Sequence, residues 1–446
     1  MDLPRPLSNL VAFANSVEAK RNDKKIRLSA MVILPDHQQI SLIMPTGISR
    51  MSLYAINASD DLRIQAQIQP GIYMNKILPN KDNLYIEVVE RQGLSQTMKR
   101  YRAIPLGDSN PEMAGNNTQT ANLSAKDDIN MITVKFQLME TGYSILKNEM
   151  VSDRHLMSTL DSVLHYQLSK YGKKLQLTGA DAFRGVNIER PIDNARAFQM
   201  VIIPSAIPLP QLGRWLQNHD EFGIYSKGFG MYYYKGMWWI YPLFKSGRYE
   251  QARKVLNIYR LPENVFPTLH ATHFTQGKVT TILSTGKGKH IDGNDIVRQN
   301  EGTGKRILSS DAVMGETGAY YGSGQAAATR QDSLSEYQTA KRSSGEEIAP
   351  FLDAPTNNLC KHLSANSFND GDVESIQWNN SDHDVLQPAM PLRFFYMSGD
   401  VLKYKEGTLL GARSELQKDT ESPDMVFREH SSLTLFLNNE EFTAQV

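Results

Sequence analysis

Cysteine is almost absent: Cys360 is the only one in 446 residues. No intrachain disulfide can form, and zinc sites built from several cysteines are excluded. This usage points to synthesis in a reducing compartment. A charge excess is missing as well, since Lys plus Arg and Asp plus Glu each total 48. Dedicated nucleic-acid binders normally carry a basic excess. Acidic tails and polybasic membrane anchors need a block of one sign. No apolar run reaches the roughly 18 residues of a membrane span, so no membrane insertion is expected. The opening segment MDLPRPLSNLVAFANSVEAK lacks the apolar core of a signal peptide.

Catalytic and nucleotide-binding motifs are scarce too. Gly304-Lys305 resembles the end of a phosphate-binding loop, but Arg306 stands at the Ser/Thr position and Gln299 at the first Gly. Gly286-Lys287 is followed by Gly288 and fails in the same way. There is no H-E-x-x-H and no G-x-S-x-G. His270 and His273 are three apart in a strand-like or loop-like run, which points the rings to opposite faces and argues for structural roles. Glu346-Glu347 and Glu440-Glu441 read as solvated pairs, and Cys360 reads as a bystander thiol. The expectation is therefore no catalytic residue, no metal site and no cofactor.

What is present is polar and β-rich. Charged residues make up 22% of the chain and the mean hydropathy is −0.42. The length allows about three domains. Period-two alternation marks strands in 26–45, 62–68, 84–89 and 131–139, and strand character returns at 392–397, 401–404 and 433–437. PGIYMNKILPNKDN reads as turn chemistry between two strands. One apolar stripe at helical spacing predicts a helix over 153–171 with Ser152 as its cap. Its members are Leu156, Leu160, Val163, Leu164, Leu168 and Tyr171. A shorter helix is predicted from Pro210, with Leu212, Trp215 and Leu216 on one face.

The most aromatic stretch is FGMYYYKGMWWIYPLF, residues 229–244. Lys235-Gly236 lies between two strand-like runs, which predicts a hairpin with a two-residue turn. Tyr232, Tyr234, Trp238, Trp239 and Tyr241 are expected to act through packing, one face in a core and the other in an interface.

Composition divides the chain into four parts. Residues 1–125 read as a first β domain with its linker. Residues 126–284 carry the helices and a second β domain. Residues 285–390 are poor in large apolar side chains and read as an extended polar arm or partner-binding region. Residues 391–446 recover strand character. A weak repeat runs through the first two parts: Gly71-Ile72-Tyr73 recurs as Gly223-Ile224-Tyr225, and Tyr101-Arg102 as Tyr259-Arg260. Two similar β domains would explain it.

The segment IPSAIPLPQLGRWLQNHDEFGIYSKGFGMYYYKGMWWIYPLF, residues 203–244, has a characteristic order. A Pro-marked strand end is followed by a short helix, G-I-Y, and two aromatic strands. This resembles the tube-forming domain of baseplate hub proteins of contractile-tailed bacteriophages, a family that includes the hub part of type VI secretion spike proteins. The later LKYKEGTLLGARSELQKDTESPDMVFREHSSLTLFLNN is similar to that family's closing strands. The resemblance implies a mainly β (α+β) fold with two tandem tube-forming β-barrel-like domains, inserted helices and a polar arm. It also implies a structural, non-enzymatic homotrimer in the virion, assembled in the host cytoplasm. Its partners would be a spike protein supplied by another polypeptide, a tail tube or tube-initiator protein and other baseplate proteins, with DNA only passing through the lumen. Another tail, neck or capsid protein, or a tail-associated cell-wall glycan hydrolase, is the alternative.

Overall fold

The computed structural model describes residues 5–14, 26–92, 95–106, 131–192, 194–219, 221–262, 272–285, 288–292, 371–418 and 426–444, with short pieces between 306 and 367. Of the polar stretch 106–130, read as a linker or long surface loop, only Leu106 is described, and it ends a strand; the rest of it, His270 and most of the polar arm lie outside the described residues.

The first β unit is built from β1 (Arg27–Ile33), β2 (Gln39–Ser41), β3 (Ile43–Leu53), β4 (Asp61–Ile68), β5 (Leu84–Gln92), β6 (Ser95–Leu106) and β7 (Ile132–Glu140). Alternation decides its register. Leu62, Ile64, Ala66 and Ile68 of β4 face Leu138, Phe136, Val134 and Ile132 of β7, and all eight are buried. A one-residue slip would turn every one of them to solvent. Neighbours run β3-β4-β7-β6-β5-β1, all antiparallel. The segment 70–83 between β4 and β5 is not a plain turn. It winds through successive helical turns that bury Tyr73 and Ile77 under the sheet.

Between the β units lies an insert. It contains β8 (Met150–Ser158), the helix Leu160–Lys174, β9 (Gly185–Ile188), β10 (Phe198–Pro208), the helix Leu212–Asn218, and the aromatic hairpin of β11 (Gly230–Tyr234) and β12 (Met237–Tyr241). The long helix begins seven residues later than its stripe suggested. Residues 150–158 pair with β10 instead, so Ser152 lies in a strand and Leu156 is exposed. Backbone pairing overrides a single stripe position that the helix does not need. Leu160, Val163, Leu164 and Leu168 do form its buried face.

The second β unit uses β13 (Val255–Leu261), β14 (His273–Gln276), β15 (Val279–Thr285) and β16 (Gly288–Asp292). A separate small sheet comprises β17 (Arg306–Leu308), β18 (Ala319–Tyr321) and β19 (Ala326–Ala327). The second unit then resumes with β20 (Gly371–Trp378), β21 (Pro391–Ser398), β22 (Val401–Lys418) and β23 (Phe427–Thr443). β20 falls inside the stretch read as a polar arm. It is a barrel strand, because Ile376 and Trp378 alternate into the core. Pairing runs β15-β13-β21-β22-β23-β20-β16, and β15 leads into β16 after a two-residue break. The sheet thus closes on itself. The Ser284 hydroxyl donates to the Gln377 carbonyl (3.1 Å) across the seam.

Both units use the long β22–β23 hairpin. Residues 401–408 of β22 pair with β21, and residues 411–416 pair with β3. At the far end Ile26 and Phe427 exchange two backbone hydrogen bonds (3.0 and 2.8 Å), which brings β1 to β23 and closes the first unit. The hairpin is therefore a wall of two barrel-like rings. Register shifts flank Gly407, where a Cβ would collide with the Phe436 carbonyl oxygen. Only glycine permits so close an approach.

The architecture is mainly β with inserted helices. The two Gly-Ile-Tyr segments do not occupy equivalent places, whereas Tyr101-Arg102 in β6 and Tyr259-Arg260 in β13 both lie in strands. Gly71-Ile72-Tyr73 lies in helical turns and Gly223-Ile224-Tyr225 in an irregular loop. The likeness of the two units lies in ring closure rather than in that motif.

Candidate functional site

The aromatic hairpin turns through Lys235 and Gly236 with φ of 51° and 75°. Both values are positive, as a tight hairpin turn that follows strand twist requires. Alternation sends its side chains to two cores. Met231, Tyr233, Trp238 and Ile240 enter the insert's core. Tyr232, Tyr234 and Tyr241 enter the core of the second barrel, with Trp239 half-buried against it. The expected interface face is thus covered by the chain's own second barrel. The Tyr233 and Trp238 rings meet edge to face at 5.0 Å, and Tyr54 and Tyr232 do so at 4.9 Å. Such contacts add specificity to area burial.

Polar anchors fix the hairpin on its first-barrel side. Tyr233 N–H donates to the Ala58 carbonyl (2.7 Å). The Tyr232 hydroxyl (2.7 Å) and the Ser52 hydroxyl (2.6 Å) both donate to Asp60. Tyr241 donates to the Tyr54 carbonyl (3.0 Å). At the turn, the Glu140 carboxylate accepts from the backbone N–H of Lys235 (3.0 Å) and of Gly236 (3.4 Å). One carboxylate at the end of β7 thereby ties the first barrel to the hairpin tip.

Charges gather around this junction. Arg50 pairs with Asp60 (3.8 Å), and Asp384 pairs with both Lys235 (3.0 Å) and Lys99 (3.6 Å). Burial and the nearby Asp60 push the Glu140 carboxyl up to about 7, against hydrogen bonds from Lys235 and Gly236 and the charge of Lys99. Burial would also raise Asp384, but Lys99, Arg50 and Lys235 outweigh it and hold that carboxyl far below the usual range. Burial and the charge of Arg50 hold the His383 imidazole below its ordinary value. Its Nε2 lies 3.0 Å from the Ser52 hydroxyl. Between the first barrel and the hairpin lies a semi-enclosed cavity of about 120 Å³.

Of the five aromatic residues singled out in the sequence, Tyr232, Tyr234, Trp239 and Tyr241 pack toward the second barrel, Trp238 packs into the insert, and Tyr234 also lines the cavity. The charged residues had no comparable signal: Arg50, Asp60, Glu140 and Asp384 come from distant stretches, and each reads as a surface charge. Among the described residues no group of three His, Cys, Asp or Glu is placed to hold a metal ion. His273 is buried beside Trp378 (5.3 Å between rings). Glu441 is exposed but not solitary, since it accepts from Tyr396 (2.6 Å) and Lys403 (3.0 Å). Cys360 is buried.

No family model and no curated protein sequence matches the chain. Solved structures do. The 43 kDa tail protein of prophage MuSo2 from Shewanella oneidensis is similar over 92% of this chain and 96% of its own, at 8% identity and a TM-score of 0.45. The E. coli c3393 protein, a type VI secretion component, is similar over 95% of this chain and 79% of its own, at 11% identity and a TM-score of 0.40. A chain of the phage P2 baseplate in its activated conformation is similar over 93% of this chain and 99% of its own, at 8% identity and a TM-score of 0.31. At such identity no residue role is carried across. The solved structures similar to this chain are a phage tail protein, a type VI secretion component and a chain of a phage baseplate.

Proposed function

We propose that the protein is a structural, non-enzymatic hub of a contractile tail baseplate, in which three copies form a ring joining a central spike to the tail tube. The observation that carries this reading is the pair of barrel-like rings built on one continuous hairpin. A strand common to both rings holds them at a fixed offset, which a wall made of repeated barrels requires. Three copies of two rings give a pseudo-sixfold tube wall, matching a threefold spike to a sixfold tube. Cyclic head-to-tail contacts close such a ring without leaving edges. The outer face of the β8–β10 ribbon supports an assembling role: Leu156, Met200 and Ile202 are exposed on it. Apolar surface of this kind is what association covers. Spike, tube and other baseplate proteins are the partners this reading assigns, and the virion is its location.

Light scattering after size exclusion tests it. A mass near three chains of 50.2 kDa each, alone or with a spike partner, is the expected result. A monomer in both samples would sink the ring.

One observation favours a second reading, a cell-wall glycan hydrolase. Asp60 and Glu140 line one cavity, and a pair of carboxyl groups, one of them raised by burial, is a feature shared with glycosidase sites. The hydrogen bonding argues against it. Asp60 is held by two hydroxyls and Glu140 by two backbone amides, so neither is presented to a substrate. Incubation with peptidoglycan should release no soluble fragments.

A further inference from the structure

β8 and β10 form a two-stranded sheet of their own. A ribbon of two strands is marginal in water and needs something packed beneath it. Here that support is the helix Leu160–Lys174. Val151, Val201 and Ile203 of the ribbon share the insert's core with Leu160, Val163, Leu164 and Leu168 of the helix. The same contact holds one polar side chain of the helix, Gln167, which is fully buried. Its Nε2 lies 2.7 Å from Asp153 Oδ2 and 2.8 Å from His155 Nε2, both on β8. Its Oε1 reaches no partner among the described residues.

These distances fix the protons. An amide oxygen 2.7 Å from a carboxylate would set two acceptors against each other, so the group facing Asp153 is the NH2. Its two N–H bonds go to Asp153 and to His155. His155 Nε2 therefore accepts, which makes the imidazole neutral with its proton on Nδ1. A second proton on that ring would set N–H against N–H and cost Gln167 one of its two acceptors. The neighbours do not restore the bond. Asp153 is shared with Lys170 (3.2 Å), the Tyr166 ring meets the imidazole edge to face at 5.5 Å, and the residue opposite on β10 is the aliphatic Val201. Burial holds the His155 imidazole below its ordinary value, against the pull of Asp153 and with the help of Lys170.

We propose that Gln167, His155 and Asp153 form an acid-released latch, which holds the β8–β10 ribbon on the long helix while His155 is neutral and loosens it when His155 is protonated. The protonated ring turns to Asp153, two residues away on the same face of β8. The Gln167 amide then stays buried with its bonds unmade, which is costly enough to open the contact. The sign is that of a group that takes up its proton less readily when folded. The latch contributes in full above about 6.5 and is lost as pH falls through the lower native value. It belongs to the ribbon itself and does not depend on trimer formation.

Hydrogen–deuterium exchange of the full chain, corrected for the intrinsic rate at each pH, tests the latch. Opening of 150–158 and 198–208 should increase about tenfold from about pH 7.5 to about pH 5. β11 and β12 should not follow, because protonation of Glu140 acts there in the opposite sense. His155→Gln keeps an acceptor that does not titrate, and its ribbon should stay closed over that range. Nitrogen-15 NMR of the histidine rings, with His155 assigned by its loss in His155→Gln or His155→Asn, should show a neutral ring protonated on Nδ1 at about pH 7.5. A proton on Nε2 instead overturns the proposal. So does a wild-type ribbon that exchanges alike at both pH values, or a His155→Gln ribbon that opens with acid as the wild type does.

Discussion

Trp238 and Glu140 act on the same hairpin by different physics. Trp238 is fully buried among Tyr143, Tyr233 and the insert's aliphatic side chains. Trp238→Ala should cost about 3–5 kcal/mol, read from chemical denaturation. The loss should appear in the isolated chain, because every contact of that ring is within it. A variant of wild-type stability would mean that the hairpin packs elsewhere. Glu140 acts through protons. Its carboxyl titrates near 7 in the native state, above the ordinary 4.5. The native state therefore binds more protons than the unfolded chain between these values, and stability falls as pH rises. The contribution is complete below about 4.5 and is lost on passing through about 7. Wild type should thus lose melting temperature from pH 5 to pH 8 relative to Glu140→Gln. Parallel curves would refute the buried carboxylate.

At the scale of elements, the hairpin turn carries a sharp expectation. Gly236 has φ of 75°, and a Cβ there would run into the Ala182 carbonyl oxygen. Gly236→Ala should cost about 1–3 kcal/mol in denaturant unfolding. Lys235→Ala keeps the turn glycine and should cost less. The hairpin was readable in the sequence because its information is local: two aromatic runs and a Lys-Gly turn lie within thirteen residues. β4 and β7 were readable for the same reason, since alternation needs no distant partner. The start of the long helix was not, because residues 150–158 are claimed by β10 about fifty residues on. The helical turns at 70–83 were hidden behind Pro, Gly and Asn, residues that ordinarily mark loops. The charged junction was the least readable part. Asp60, Glu140 and Asp384 look like any solvated carboxylate until three-dimensional closure brings them to Arg50, Lys99 and Lys235.

For the whole molecule, the decisive element is the hairpin common to both rings. Because β22 borders β3 on one stretch and β21 on another, opening either ring exposes a strand edge of the other. The two should melt in one transition, with calorimetric and van't Hoff enthalpies in agreement. Two separated transitions would show that they fold independently. Arg248 adds to the coupling, since it reaches Glu189 (2.9 Å) in the insert and Thr408 (2.9 Å) on β22.

The same hairpin sets a schedule for synthesis. All strands particular to the first ring have left the ribosome once Glu140 emerges, yet its seam waits for Phe427, roughly 290 residues later. At about 5–20 residues per second that is about 15–60 s with two strand borders unprotected, those of β1 and β3. Nascent chains would pair edge to edge in that interval unless something shields them. Yield in the producing cell should then depend on elongation rate and on holding chaperones more than on the stability of the finished protein.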